Sequence, residues 1–124
     1  MELRPQGRIA VVALRDEIDL QGADAVTLAF HRACTHGGTD ATLLDLAALT
    51  FADSTLLALI LQTRADHEQA QRPLVLSGPF HTPVQRLLEL TGAVNVLPLA
   101  DTREQGVRRL HTLLDAAAPR TSQP

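Results

Sequence analysis

The sequence predicts an α/β fold: one domain on a mostly parallel, mixed sheet of four to five strands, in the order β-β-α-β-α-β-α-β-α, with helices packed on it. Three observations predict it. Runs rich in Val, Ile and Leu, within 8–19, 41–49 and 72–79, are apolar without alternation, as strands buried on both faces are. Between them lie segments with apolar residues three and four apart, the spacing of amphipathic helices. The two kinds of segment alternate, which argues for βαβ units and parallel pairing.

The elements follow in order. A short strand over 2–4 and a turn at Pro5-Gln6-Gly7 lead into 8–19, which opens with six consecutive apolar residues. Only this first pair, joined by a tight turn, is expected to be antiparallel. From Gly22, Val26, Ala29, Phe30, Ala33 and Cys34 keep helical spacing, and Gly37-Gly38 is expected to end that helix. "ATLLDLAAL" (41–49) is a second buried strand. The segment 54–71 reads as a helix whose apolar first half packs on the sheet and whose charged second half leaves it. "RPLVLSGP" (72–79) is a third strand, with Pro73 at its start. The next helix, 82–92, has Pro83 in its first turn and Gly92 at its stop. A last strand or extended segment is expected over 93–99. The final helix, 101–118, is capped by Asp101 or Thr102 and has Val107, Leu110, Leu114 and Ala117 on one side. The domain is expected to span 1–117, with 118–124 a disordered tail that has nothing to bury.

Composition narrows the function. The chain has 124 residues, 45% of them hydrophobic, enough for one domain with a core. Three Phe and no Tyr or Trp leave few stacking platforms for single-stranded nucleic acid. The 11 basic residues are all Arg, scattered, and the net charge is −3, so no basic stripe addresses phosphate backbones or anionic lipid. The single cysteine, Cys34, allows no intramolecular disulfide, which is consistent with a cytoplasmic protein. The apolar run 9–14 is too short for a signal segment or a spanning helix, so no membrane insertion is expected.

Several catalytic and nucleotide-binding motifs are missing: there is no phosphate-cradling glycine loop, no H-E-x-x-H, no C-x-x-C and no G-x-S-x-G. His31, Cys34 and His36 lie close in "HRACTH", but no fourth zinc ligand accompanies them, and Cys34 continues an apolar face. No metal or cofactor is expected. His67, between Asp66 and Glu68 in "ADHEQ", reads as part of a solvated helix face rather than an acid–base pair. Arg108-Arg109 suits the end of a helix dipole. Asp19 leaves the end of a buried strand, where open α/β sheets place functional groups; capping of the next helix explains it equally well.

"ADSTLL" (52–57) places three polar residues, Asp53, Ser54 and Thr55, inside an apolar run at a strand-to-helix junction. One cap explains one of them. An exposed Ser54 at the helix N-terminus, among free N–H groups, suits a phosphate. No base or oxyanion loop accompanies it in the sequence, so a phosphoacceptor fits better than a nucleophile, and a small hydrolase using Ser54, Asp19 and a histidine is disfavoured. The protein is read as a non-enzyme.

Three blocks together carry a family resemblance. "EID" (17–19) is similar to a G-E-[LI]-D signature. "LLDLAALTFADST" (43–55) is similar to a strand ending in D-L, a spacer and D-S-[ST]-G-L. "VQRLLELTGA" (84–93) is similar to V-x-R-x-L-x-x-[ST]-G. In this order and at these separations they resemble a STAS domain of the anti-sigma-factor antagonist family, from about residue 7 to 114. The resemblance implies a STAS-like domain, monomeric or weakly dimeric, that in its unphosphorylated form binds an anti-sigma factor which is also a serine kinase, and so frees a sigma factor. A phosphatase would reverse the modification. It implies Ser54 as phosphoacceptor with Thr55 as backup, and a partner-facing surface of Asp19, Asp53, Ser54, Thr55 and Leu56. The alternative is a STAS scaffold, signalling-complex or lipid-transport subunit without a phospho-switch. Two positions depart from the pattern: Asp16 and Leu56 stand where the family has Gly. Leu56 is expected to add bulk and apolar surface beside Ser54.

Overall fold

The structure, a computed structural model, describes residues 2–18 and 20–117. Its elements are β1 (Glu2–Gln6), β2 (Ile9–Ile18), a 3-10 turn (Leu20–Gly22), α1 (Ala23–Thr35), β3 (Ala41–Ala52), α2 (Ser54–Gln69), β4 (Leu74–Ser77), α3 (Thr82–Leu90), a second 3-10 turn (Ala93–Asn95), β5 (Leu99–Ala100) and α4 (Arg103–Ala117). The five strands lie side by side in chain order. β1 is antiparallel to β2, and the β2–β3, β3–β4 and β4–β5 pairs are parallel. The expected element order and mixed sheet are therefore present.

The unbroken apolar runs are buried on both sides, as their lack of alternation requires. Ala10, Val12 and Leu14 of β2, with Leu44 and Leu46 of β3, face a core shared with α1, α2 and α3. Ile9 and Val11, with Ala41, Leu43 and Val75, face Leu110 and Leu114 of α4 on the other side. Each fully buried Leu or Ile of this kind contributes about 1.5–3 kcal/mol. The helix α4 approaches the sheet closely at Gly106, where an added Cβ would lie 2.7 Å from Leu43 Cδ1. Its N-terminus is closed by Thr102, whose hydroxyl accepts from the Gln105 N–H at 3.1 Å. Gly92 stops α3 at a left-handed φ of 77°.

Four expectations need correction. Residues 93–95 form a 3-10 turn rather than strand, and the last strand is only Leu99–Ala100. Gly37 and Gly38 take no left-handed conformation; α1 ends at His36, whose ring Nδ1 accepts from the Gly38 N–H. The strand β3 runs three residues past 49, to Ala52. The second half of α2 does not leave the sheet. The buried stripe Leu56, Ile60, Thr63, His67 continues at helical spacing, with polar residues in its last two places.

His67 is consequently a core residue rather than part of a solvated face, although Asp66 and Glu68 beside it are exposed. Its Nδ1 lies 2.7 Å from the Thr63 carbonyl, which can only accept, so Nδ1 carries the proton. The other ring nitrogen, Nε2, accepts from the Thr42 hydroxyl of β3 at 2.8 Å. Burial, offset in part by the Thr63 hydrogen bond, holds the imidazole below its ordinary pKa, so it stays neutral. The expected tail, 118–124, lies outside the described residues.

Candidate functional site

Two strand ends meet where the sequence blocks point. The parallel register pairs Glu17 with Phe51 and Ile18 with Ala52, so the segments that continue into α1 and α2 leave the sheet side by side. Asp19, the next residue, lies outside the described residues. The end of β2 is irregular: the register shifts between Ala13 and Arg15 and again between Asp16 and Glu17. Asp16 adopts φ 61°. This accounts for the glycine that the family pattern has there, since glycine takes that conformation without the steric cost of a side chain, and Asp is among the few others that tolerate it.

The β3–α2 junction is tighter. Asp53 is extended, at φ −109°, and is the N-cap of α2. Its Oδ1 accepts from Thr55 N at 3.0 Å and from Leu56 N at 3.2 Å, while its carbonyl accepts from Leu57 N. The two readings of the sequence thus separate by residue: Asp53 is the cap, and Ser54, the first helical residue, is exposed. Thr55 is half-buried. The cap also uses two of the N–H groups that were expected to be free for a phosphate. A phosphate on Ser54 would meet the positive end of the helix with the Asp53 carboxylate already in place.

Leu56 is 1% exposed and packs into the core beneath α2. The expectation that it adds apolar surface beside Ser54 is therefore corrected. As the third residue of the helix it points inward, and its side chain is part of the buried stripe. The exposed apolar group of this junction is Phe51, 45% exposed at the end of β3. The apolar run that predicts this strand ends at Leu49, two residues short of Phe51; Thr50 and Phe51 are exposed in succession between buried Leu49 and Ala52. The available signal was a rare aromatic two residues before the polar triplet.

No histidine among the described residues hydrogen-bonds the Ser54 hydroxyl. His67 is committed to Thr42 and Thr63, and the His36 ring to Gly38. Among the described residues, no group of three or more His, Cys, Asp or Glu is placed to hold a metal ion. Burial pushes the Cys34 thiol above its ordinary pKa, with the Arg72 guanidinium opposing, which keeps it a protonated, weakly nucleophilic group. Arg72 itself ties the α2–β4 turn to the α1–β3 loop by donating to the Thr39 carbonyl at 2.7 Å and to the Thr39 hydroxyl. No described helix is long and apolar enough to cross a membrane.

A family model for the Mlab STAS domain matches residues 1–99. Among solved structures, an anti-sigma factor antagonist from Mycobacterium paratuberculosis is 23% identical, with 89% of this chain and 92% of that one covered and a TM-score of 0.75. RsbS from Moorella thermoacetica is 18% identical, covering 92% and 97%, at a TM-score of 0.76. The Bacillus cell fate determinant SpoIIAA, in its phosphorylated form, is 19% identical, covering 87% and 96%, at 0.66. At these identities the likeness to the solved structures is one of fold.

Proposed function

The chain belongs to the STAS domain family, and from that premise we propose that it is a binding module of the anti-sigma-factor antagonist kind, switched by phosphorylation of Ser54. The observation that carries this reading is the division of labour at the β3–α2 junction: Asp53 closes the helix, and the next hydroxyl is left exposed. The unphosphorylated surface, with Asp53, Ser54, Thr55 and exposed Phe51, together with Asp19, docks on an anti-sigma factor that is also a serine kinase. Thr55 is the backup acceptor. Phosphate adds about −1.5 to −2 charges at neutral pH, directly beside the Asp53 carboxylate. In an interface that charge would be desolvated without a partner, at a cost of about 2–5 kcal/mol. About 4 kcal/mol lowers affinity roughly a thousandfold. A phosphatase would restore binding. The fold neighbour SpoIIAA, solved in a phosphorylated form, supports a phosphorylated state for this kind of domain.

A second reading has its own support. The matching family model is that of the Mlab STAS domain. This favours a STAS subunit of a larger complex, in signalling or lipid transport, with no phospho-switch. Incubation with candidate anti-sigma kinases and ATP, read by intact mass, separates the two. The switch predicts one added phosphate that disappears in Ser54→Ala. No phosphate with any candidate, together with partner binding unchanged by Ser54→Asp, selects the subunit reading.

A further inference from the structure

We propose that a second copy of this chain docks on the open edge of β1, pairing β1 with β1 about a two-fold axis at Leu3. This goes beyond the proposed switch and uses none of the residues of the Ser54 junction.

The backbone sets the register. The Arg8 carbonyl accepts from Ala41 N on the β3 side. Because strand residues alternate, Ile9, Val11 and Ala13 turn their backbone groups to β1, where they face Gln6, Arg4 and Glu2. Leu3 and Pro5 therefore turn theirs outward, to an edge with no neighbouring strand among the described residues. Pro5, with no N–H to donate, sits where a proline is tolerated. The outward N–H of the described strand is that of Leu3, so a closed pair of hydrogen bonds across a two-fold axis requires Leu3 against Leu3 of the second copy.

Charge and apolar surface agree with that register. Centring on Leu3 puts Glu2 opposite Arg4 of the second copy, twice, and opposite charges across strands stabilise a pair. Centring on Arg4 would set Arg4 against Arg4 and is disfavoured. Among the described residues of its own chain, Glu2 makes long, exposed contacts, 3.4 Å to Arg4 and 3.7 Å to Arg15. On the α1 side, Leu3 lies with Ala25, Leu28, Ala29 and Arg32 along a groove of about 260 Å³, and Leu28 is 49% exposed. The two α1 helices, each packed over its own β2, would stand three strand spacings apart, about 14 Å. That exceeds the 8–10 Å of helices in contact, and the two Leu28 side chains fill the gap.

Sedimentation equilibrium of the whole chain from about 1 μM to about 1 mM tests this, with a small interface expected to give a dissociation constant in the micromolar range. Leu28→Glu should weaken the dimer about tenfold or more. Arg4→Glu and Glu2→Arg, both on the exposed edge, should each weaken it, and the two together should restore it. A chain monomeric throughout overturns the proposal. So does a dimer whose constant is unmoved by Leu28→Glu and by both single charge reversals.

Discussion

At the start of α2, Asp53, Ser54 and Thr55 surround a helix cap, with Ser54 exposed and the other two half-buried. Fourteen residues after Asp53, in the equally polar run Asp66-His67-Glu68, the middle residue is buried to 1% and bonded to the sheet. Both ends of one helix therefore hold a polar triplet. At the first end the polar atoms satisfy the helix itself. At the second, His67 satisfies the strand beside it, through the Thr42 hydroxyl. Polarity alone does not place a residue inside or outside; phase on the helix and the presence of a matching partner do.

Substitution separates the two ends by size of effect. His67→Ala should be the more damaging, lowering stability by about 2–4 kcal/mol, because it opens a cavity and leaves the Thr42 hydroxyl unpaired. Denaturant unfolding at pH 7.5 or thereabouts measures it. The same histidine makes stability depend on pH. Its folded pKa is held below the ordinary value of about 6.5, so the unfolded chain takes up the proton first. The contribution of neutral His67 is complete above about 6.5, falls as pH drops from there through its folded pKa, and levels off below it. Unfolding curves between pH 7.5 and 5 should show this slope in the native chain and a shallower one in a His67→Phe variant.

The cap end should respond more mildly. Asp53→Ala removes the acceptor for Thr55 N and Leu56 N and should cost about 1 kcal/mol, within the 0.5–2 range of lost N-caps. The same variant should fray α2 at its start, seen as faster amide exchange at Thr55 and Leu56. Asp16→Gly, at the neighbouring strand end, should run in the opposite direction, stabilising by up to about 1 kcal/mol through relief of the left-handed conformation. Ser54→Ala should change stability least, within about 0.5 kcal/mol. A larger loss there would mean that Ser54 serves the fold, and it would weaken the reading of Ser54 as a group kept for modification.

Much of this was legible in the residues. The unbroken apolar runs gave buried strands, and the helix spacings gave the alternation, because a strand covered on both sides has no polar face to show. The Asp-Ser-Thr triplet marked the junction, because caps are read from residue type and position. The misreadings share a cause. Analogy with an exposed motif puts Leu56 at the surface, whereas its side chain follows the buried stripe of α2. The charged neighbours of His67 suggest a solvated face, whereas its partner Thr42 lies 25 positions away. Phe51 lies past the expected strand end at 49, where the register between β2 and β3 is irregular.

The order of elements, the parallel sheet, the cap at Asp53 and the exposed hydroxyl after it can be read from the residues. Each of these rests on local periodicity or on a residue and its near neighbours in the chain. Which polar residues go inside, why position 16 calls for a left-handed residue, and how the strand ends are registered at the site emerge only in the folded chain. Those depend on hydrogen-bond partners and strand register set by residues distant in sequence, and no local pattern encodes them.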